Sequence, residues 1–236
     1  HRISPDEGFQ ATVRSAVSVA ESTSGLATIG ITPTRPETGY GYVEVGEVTA
    51  SPEVPVHRVK SFREKPQADV AVEYLRSGKF LWNSGMFFWT VAGFLEALDA
   101  ASPEHAAFIY QATPLMVSGQ WEEAALLFEG LSNISIDFAL MEKAQRVYVA
   151  EAAFEWDDLG SWDSLARVRE LDELANVRDG ACEIIECRGN VIVNRSHSHK
   201  VFALGVDDLI IVVTDGVIMV CPKERAQDVR ALAALE

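Results

Sequence analysis

The 236-residue chain predicts an α/β fold, a mixed sheet flanked by helices over residues 1–172, then a small all-β unit and a terminal helix over residues 173–236. Three observations carry this. Up to residue 174, strand-sized apolar segments alternate with segments whose apolar residues recur at helical spacing, the texture of an α/β layer. After residue 182, five strand-like segments follow one another at intervals of about ten residues with no helix between them, the pattern of a small β unit. The composition, 48% hydrophobic and 23% charged, is that of an ordinary globular chain.

The elements follow in order. Ser4-Pro5-Asp6-Glu7 reads as a capping box with proline at the first helical position, and Phe9, Val13, Ala16, Val17 and Ala20 recur on one face of the helix that follows. A domain that opens on a capped helix, with no strand before it, is expected to start internally, with sequence upstream. Residues 26–32 are a strand and 33–39, with two prolines and a glycine, a loop. Residues 40–45 and 56–62 are strands, and 67–77 a helix closed by Gly78. The aromatic run over 80–89 holds a buried strand. Helices follow at 91–101, from Pro103 through 111, and over 121–128 and 136–143. Residues 146–150 are a strand and 161–170 a helix capped by Ser161. The five strands of the β unit are 183–187, 191–194, 201–204, 209–213 and 217–220, turned by Arg188-Gly189, Val206-Asp207 and Asp215-Gly216. Pro222 opens the terminal helix, whose apolar face is Ala226, Val229, Leu232 and Ala233. Such a face predicts either a homodimer contact or cover for the chain's own β unit.

Charge narrows the partners. Thirty-five Asp and Glu against 20 Lys and Arg leave a net charge of −15, and no basic cluster of the kind that binds polyanions occurs. Nucleic acid and anionic membrane are therefore excluded as expected partners. Small phosphorylated ligands remain, because one Lys, Arg or metal ion outweighs the global field locally. Cys182, Cys187 and Cys221 form no disulfide framework, which points to a reducing, cytoplasmic compartment. No apolar run nears the ~20 residues of a membrane span. Walker, nucleophile-elbow and dinucleotide-binding motifs do not occur.

Four segments mix glycine, aromatic and polar residues. In Glu37-Thr38-Gly39-Tyr40-Gly41-Tyr42 the glycines allow backbone to approach a ligand, or simply turn the chain into a strand. In Phe62-Arg63-Glu64-Lys65-Pro66, Glu64 suits sugar hydroxyls and Lys65 a phosphate, while adjacent residues of an extended chain point apart and are not expected to pair. A solvated strand end is the plain alternative. Within Trp82-Asn83-Ser84-Gly85-Met86-Phe87 the buried amide of Asn83 needs partners, in a ligand or in a local turn. In Phe154-Glu155-Trp156-Asp157-Asp158-Leu159-Gly160-Ser161-Trp162, two adjacent carboxylates repel unless solvated or met by a cation; one could hold Mg²⁺ beside phosphates, or serve as a turn residue.

Together with residues 30–36 and with Ser135-Ile136-Asp137-Phe138-Ala139-Leu140-Met141-Glu142-Lys143, these segments resemble the mannose-1-phosphate guanylyltransferase family of sugar-nucleotidyltransferases. The chain resembles the C-terminal two-thirds of such an enzyme, without the family's glycine-rich nucleotide-binding signature. The resemblance implies a left-handed β-helix-like tail and transfer of a guanylyl group from GTP to mannose 1-phosphate, giving GDP-mannose and pyrophosphate with Mg²⁺. Carried over residue by residue, it makes Asp158 a metal ligand and Lys65 the partner of the sugar phosphate. Glu64 and Asn83 would hold sugar hydroxyls, Gly41 would offer its backbone, and Thr38 and Tyr42 would shape the pocket. It also implies an open sheet edge where upstream strands would pair. Two other readings stand beside it: a non-catalytic sugar-phosphate-binding or regulatory remnant, and a nucleotidyltransferase for another hexose 1-phosphate.

Overall fold

The computed structural model describes residues 1–50 and 53–234. In chain order, β1 (Arg2–Ser4) leads to α1 (Asp6–Thr23), β2 (Leu26–Ile31), β3 (Tyr42–Ala50), β4 (Val56–Arg63), α2 (Ala68–Ser77) and β5 (Phe80–Phe88). Then come α3 (Val91–Ala101), α4 (Pro103–Val117), α5 (Trp121–Glu129), a π-helical turn (Asp137–Met141), β6 (Val147–Glu151) and β7 (Glu155–Asp157). A 3-10 turn (Trp162–Ser164) runs into α6 (Leu165–Val168). β8 (Val177–Asp179), β9 (Cys182–Ile185), β10 (Val191–Asn194), β11 (Val201–Leu204), β12 (Leu209–Val213) and β13 (Ile218–Pro222) complete the strands. The backbone packs as two compact units, residues 4–155 and residues 1–3 with the chain from Trp156 onward.

In the first unit five strands close on themselves in the order β2-β5-β3-β4-β6. β6 runs parallel to β2 and antiparallel to β4, so the open edge expected from the sequence does not exist among these strands. Closure removes the unpaired N–H and C=O groups that would otherwise template aggregation. Leu26, Val43, Phe62, Leu81, Val147 and Val149 from the strands meet Leu98 of α3 and Leu140 and Met141 of the π-helical turn in one core. Burial of Leu140 and Met141, each at most 1% exposed, contributes roughly 1.5–3 kcal/mol apiece and fastens that turn against the strands.

Several local expectations shift. No side chain caps α1; Ser4 belongs to β1, Pro5 occupies the N-cap, and Asp6 and Glu7 supply first-turn negative charge instead. The helix expected over 161–170 shrinks to a 3-10 turn and four α-helical residues, because Ser161 Oγ donates to Asp163 at 2.5 Å and Ser164 Oγ donates back to the Ser161 carbonyl. Within the helix expected over 136–143, Asp137–Met141 forms a π-helical turn, a geometry that concentrates at functional sites.

The second unit is β-helix-like. β8, β10 and β12 stack in parallel, β9 and β11 form a second parallel pair, and β13 closes the larger sheet antiparallel to β12. Val177, Val191 and Ile210 lie in register, and each is preceded by two positions by a left-handed residue: Ala175 (φ 62°), Gly189 (φ 68°) and Asp208 (φ 50°). Stacked corners of this kind turn the chain once per layer. They cost glycine little and the other two residues roughly 1–2 kcal/mol each.

Beside these corners, buried Asn190 donates to Asn176 Oδ1 at 2.9 Å and to the Val206 carbonyl at 2.8 Å, and accepts the Leu209 N–H at 2.9 Å. Asn190→Ala leaves buried partners unsatisfied and is expected to destabilise this unit by roughly 2–3 kcal/mol. Urea unfolding followed by near-ultraviolet circular dichroism measures it; an unchanged midpoint would show that water replaces the amide.

The terminal segment (Lys223–Ala234) is a 3-10 helix broken at Arg225. Its Ala226 is buried in the β unit's own core with Val177, Val191 and Ile210, while Leu232 stays 47% exposed. Ala233 lies outside the residues whose side chains are described. Among the described residues, no helix is long and apolar enough to cross a membrane.

Candidate functional site

In the first unit the ends of β4 and β5 and the loop into β3 bring four of the expected residues together. The Asn83 N–H donates to the Gly41 carbonyl at 2.8 Å, fixing the β3 entry beside β5. A Cβ at Gly41 would collide with Glu64 Oε2 and press within 3.3 Å of Asn83 Cβ, so a side chain there would displace the Glu64 carboxylate from its present position. Glu64 stands one residue beyond Phe62-Arg63, and its side chain is 9% exposed. Its Oε2 is buried and has no hydrogen-bond partner among the described residues.

Lys65 corrects an expectation. Its Nζ lies 3.3 Å from Glu64 Oε1, although adjacent strand residues normally diverge. The reason is backbone: Lys65 is left-handed (φ 45°), which ends the strand's alternation and swings the ammonium group to the side of Glu64. Its N–H donates to the Tyr40 carbonyl at 3.2 Å, holding this conformation. The ammonium group is half-exposed and within reach of an anionic ligand.

Asn83 is tied into a buried network. Its Oδ1 accepts from Thr28 Oγ1 at 2.8 Å and from the Gly85 N–H at 3.2 Å, and its Nδ2 donates to Asp137 Oδ1 at 3.3 Å. The Glu64 N–H donates to Glu142 Oε1 at 3.0 Å. The local turn to Gly85 and a ligand-facing role, alternatives for Asn83 in the sequence, are thus compatible. Burial raises the Glu64 pKa above the usual carboxylate value; the charges of Asp137 and Glu142 add to this, and Lys65 opposes it.

Other expected residues sit elsewhere. Tyr42 pairs with Trp82 across β3 and β5, so strand alternation places both side chains on the face opposite Asn83. There Arg35 stacks 4.9 Å from the Trp82 ring centroid, with Tyr40 edge-on to the same indole. Thr38 is exposed on the loop between β2 and β3.

Asp158 belongs to the second unit. Its Oδ1 accepts the Gly160 N–H at 3.1 Å, and a Cβ at Gly160 would collide with Oδ2. The cation that relieves the adjacent carboxylates is Arg167, whose Nε meets Asp157 Oδ2 at 2.5 Å and whose Nη1 meets Asp163 Oδ2 at 2.7 Å. Burial works against the Arg167 charge, but the hydrogen bonds to Asp157 and Asp163 outweigh it and raise the guanidinium pKa. Asp157 also accepts the Leu159 N–H at 3.0 Å, and Leu159 is left-handed (φ 53°), so the loop carrying Asp158 is pinned on both sides. Among the described residues, no three His, Cys, Asp or Glu side chains group as a metal cage.

Thr28, Asp137, Glu142 and Arg167 carry this geometry and were not assigned roles from the sequence. Asp137 and Glu142 lie in a segment that stood out by resemblance; Thr28 had only its position as the one hydroxyl in a buried apolar strand.

The nucleotidyl transferase family model matches residues 3–174, and the MannoseP isomerase/GMP-like beta-helix domain matches residues 184–234. The mannose-1-phosphate guanylyltransferase of Salmonella typhimurium is 35% identical over 98% of this chain and 48% of its own length. That of Sinorhizobium fredii is 33% identical over 97% of this chain and 44% of its own length. A crystal structure described as a mannose-1-phosphate geranyltransferase from Thermus thermophilus superposes with a TM-score of 0.82 at 32% identity, covering 99% of this chain and 66% of that one. The chain spans about half the length of the curated relatives it matches. With the greater part of its residues matched, from β1 through α1, the barrel and the loop of Asp158 to residue 174, the chain belongs to the nucleotidyl transferase family.

Proposed function

We propose that this chain provides the sugar-phosphate-binding part of an enzyme that transfers a guanylyl group from GTP to mannose 1-phosphate. The observation that carries the reading is Glu64 Oε2, a buried carboxylate oxygen without a partner among the described residues, beside Gly41 and Asn83. An unsatisfied buried acceptor costs roughly 1–3 kcal/mol, and a ligand hydroxyl donating to it recovers that energy on binding. Half-exposed Lys65, 3.3 Å from the other oxygen, keeps an ammonium group open to solvent, which supports a role in meeting a phosphate. The names of the relatives, mannose-1-phosphate guanylyltransferases, support mannose as the sugar and a guanine nucleotide as the donor.

In the proposed reaction a phosphate oxygen of mannose 1-phosphate attacks the α-phosphorus of GTP in line, and pyrophosphate leaves with the bond it breaks. No protein nucleophile takes part; Glu64 and Asn83 orient the sugar, and Lys65 holds its phosphate. Asp158 is proposed as the Mg²⁺ ligand. A single carboxylate fits this ion, which takes one or two from a protein and completes its shell with water and phosphate oxygens. Bound Mg²⁺ would offset charge on the phosphates. The free cysteines suit a reducing, cytoplasmic compartment.

Calorimetric titration with mannose 1-phosphate tests the reading. Lys65→Ala is expected to weaken binding about tenfold or more, since a charged hydrogen bond contributes ~1.5–3 kcal/mol, and to leave the melting temperature within a degree or two. Equal affinity for glucose 1-phosphate would favour another hexose. Binding without turnover in the intact protein would favour the non-catalytic reading.

A further inference from the structure

The orientation of the Asn83 amide follows from its neighbours. The Gly85 N–H can only donate, so the atom it meets at 3.2 Å is the amide oxygen; a carboxylate accepts, so the atom that meets Asp137 at 3.3 Å is the nitrogen. The Thr28 hydroxyl, whose single proton is shared between that oxygen at 2.8 Å and the Met86 carbonyl at 3.1 Å, is the amide oxygen's second donor, so both of its lone pairs face donors. One hydrogen on Nδ2 goes to Asp137, and the second has no partner among the described residues. What Asn83 can offer a ligand is therefore a donor. Close by, across Gly41, Glu64 Oε2 offers an acceptor. A donor beside an acceptor matches two neighbouring hydroxyls, one giving its hydrogen to Glu64 and the other its lone pair to Asn83.

Asp137 is linked to both. It binds Asn83, its charge acts on Glu64, and its π-helical turn is anchored through Leu140 and Met141 in the core that includes Phe62 and Leu81, neighbours in sequence of Glu64 and Asn83. Glu142, at the end of the same turn, accepts the Glu64 N–H. The charged groups that act on Glu64 are thus Lys65 beside it and Asp137 and Glu142 from the turn.

We propose that Asp137 is a positioning residue for the sugar site: it holds Asn83 with a donor toward the ligand, on the turn whose closing Glu142 holds the Glu64 backbone. Its charge also acts on Glu64, which makes sugar binding pH-sensitive. This rests on the mannose 1-phosphate reading for the ligand but not for the coupling. Glu64 accepts a hydroxyl as a carboxylate, so binding weakens as pH falls through its raised pKa. Removing the Asp137 charge lowers that pKa and moves the weakening to lower pH.

Asp137→Asn and Asp137→Ala are compared with the wild-type chain. Without ligand, the ¹³C resonance of the Glu64 carboxyl is titrated; its midpoint is expected to drop in both variants. Mannose 1-phosphate affinity is then measured across pH. Asp137→Asn, which keeps an acceptor for Asn83, is expected to bind within about twofold of wild type at neutral pH with its acid limb displaced downward. Asp137→Ala is expected to lose about tenfold at neutral pH, from one hydrogen bond to a charged group. A purely structural role would lower the melting temperature and leave the acid limb in place. An unmoved Glu64 midpoint in the Asn variant, or wild-type affinity in the Ala variant, overturns the proposal. A moved midpoint in a chain that binds no mannose 1-phosphate supports the coupling and sinks the sugar reading instead.

Discussion

Asp158→Asn is expected to cut turnover of GTP and mannose 1-phosphate in the intact enzyme by a factor of about 10²–10³, the loss typical of removing a group that stabilises transition-state charge. Asn retains the oxygen that accepts the Gly160 N–H at 3.1 Å, so the turn survives and the charge alone is lost. Pyrophosphate release under saturating Mg²⁺ reads the effect. Mn²⁺ binding, followed by electron paramagnetic resonance, is expected to weaken in parallel, while mannose 1-phosphate binding without metal stays as in the wild type. Normal turnover of the Asn variant would reduce Asp158 to a loop-turning residue and move the metal elsewhere.

Arg167→Ala is expected to destabilise the second unit by about 3–5 kcal/mol, the cost of leaving a buried carboxylate without its counter-charge. Asp157 is 9% exposed and holds Arg167 through two nitrogens, at 2.5 and 3.4 Å. Denaturant unfolding gives the size, and the double variant Asp157→Asn/Arg167→Ala should recover most of it, because the uncompensated charge goes too. If the double variant is no better than Arg167→Ala, lost packing of the arginine stem is the cause. The pH dependence has a definite sign. Burial pushes the Asp163 pKa up, but the hydrogen bonds from Ser161 and Arg167 outweigh it and leave the pKa lowered. A lowered carboxylate contributes stability at neutral pH that is lost as pH falls from the ordinary carboxylate pKa toward the lowered one. The wild-type advantage over Arg167→Ala should therefore narrow in acid.

Much of the fold was legible because its signals are local. α3 spans the residues expected of it, and β10, β11 and β12 coincide with their apolar runs. These elements need little beyond their own side chains to be recognised. β8 was missed because three residues between Asn176 and Gly180 show no period; it exists through pairing with β10. Closure of the barrel through β6 was invisible for the same reason, since a strand's run of apolar residues does not say which edges it joins.

The candidate site divides along the same line. Glu64, Lys65, Asn83 and Gly41 stand out as candidates through the segments that carry the family resemblance, each with a plain structural alternative when taken alone. Their pairings do not. Thr28 lies 55 positions from Asn83 and Asp137 lies 54 from it, distances that only the fold spans. The Lys65–Glu64 pair contradicted strand alternation because one left-handed φ, held by a bond to Tyr40, overrode it. Likewise the cation that neutralises Asp157 is a protein arginine ten residues on, brought back by the short turn at Trp162–Ser164. Which groups are candidates for chemistry follows from their type and from the resemblance of the segments that hold them. Which way each points, and with what charge beside it, depends on long-range packing, since hydrogen bonds and buried charges respond to distance in space rather than along the sequence.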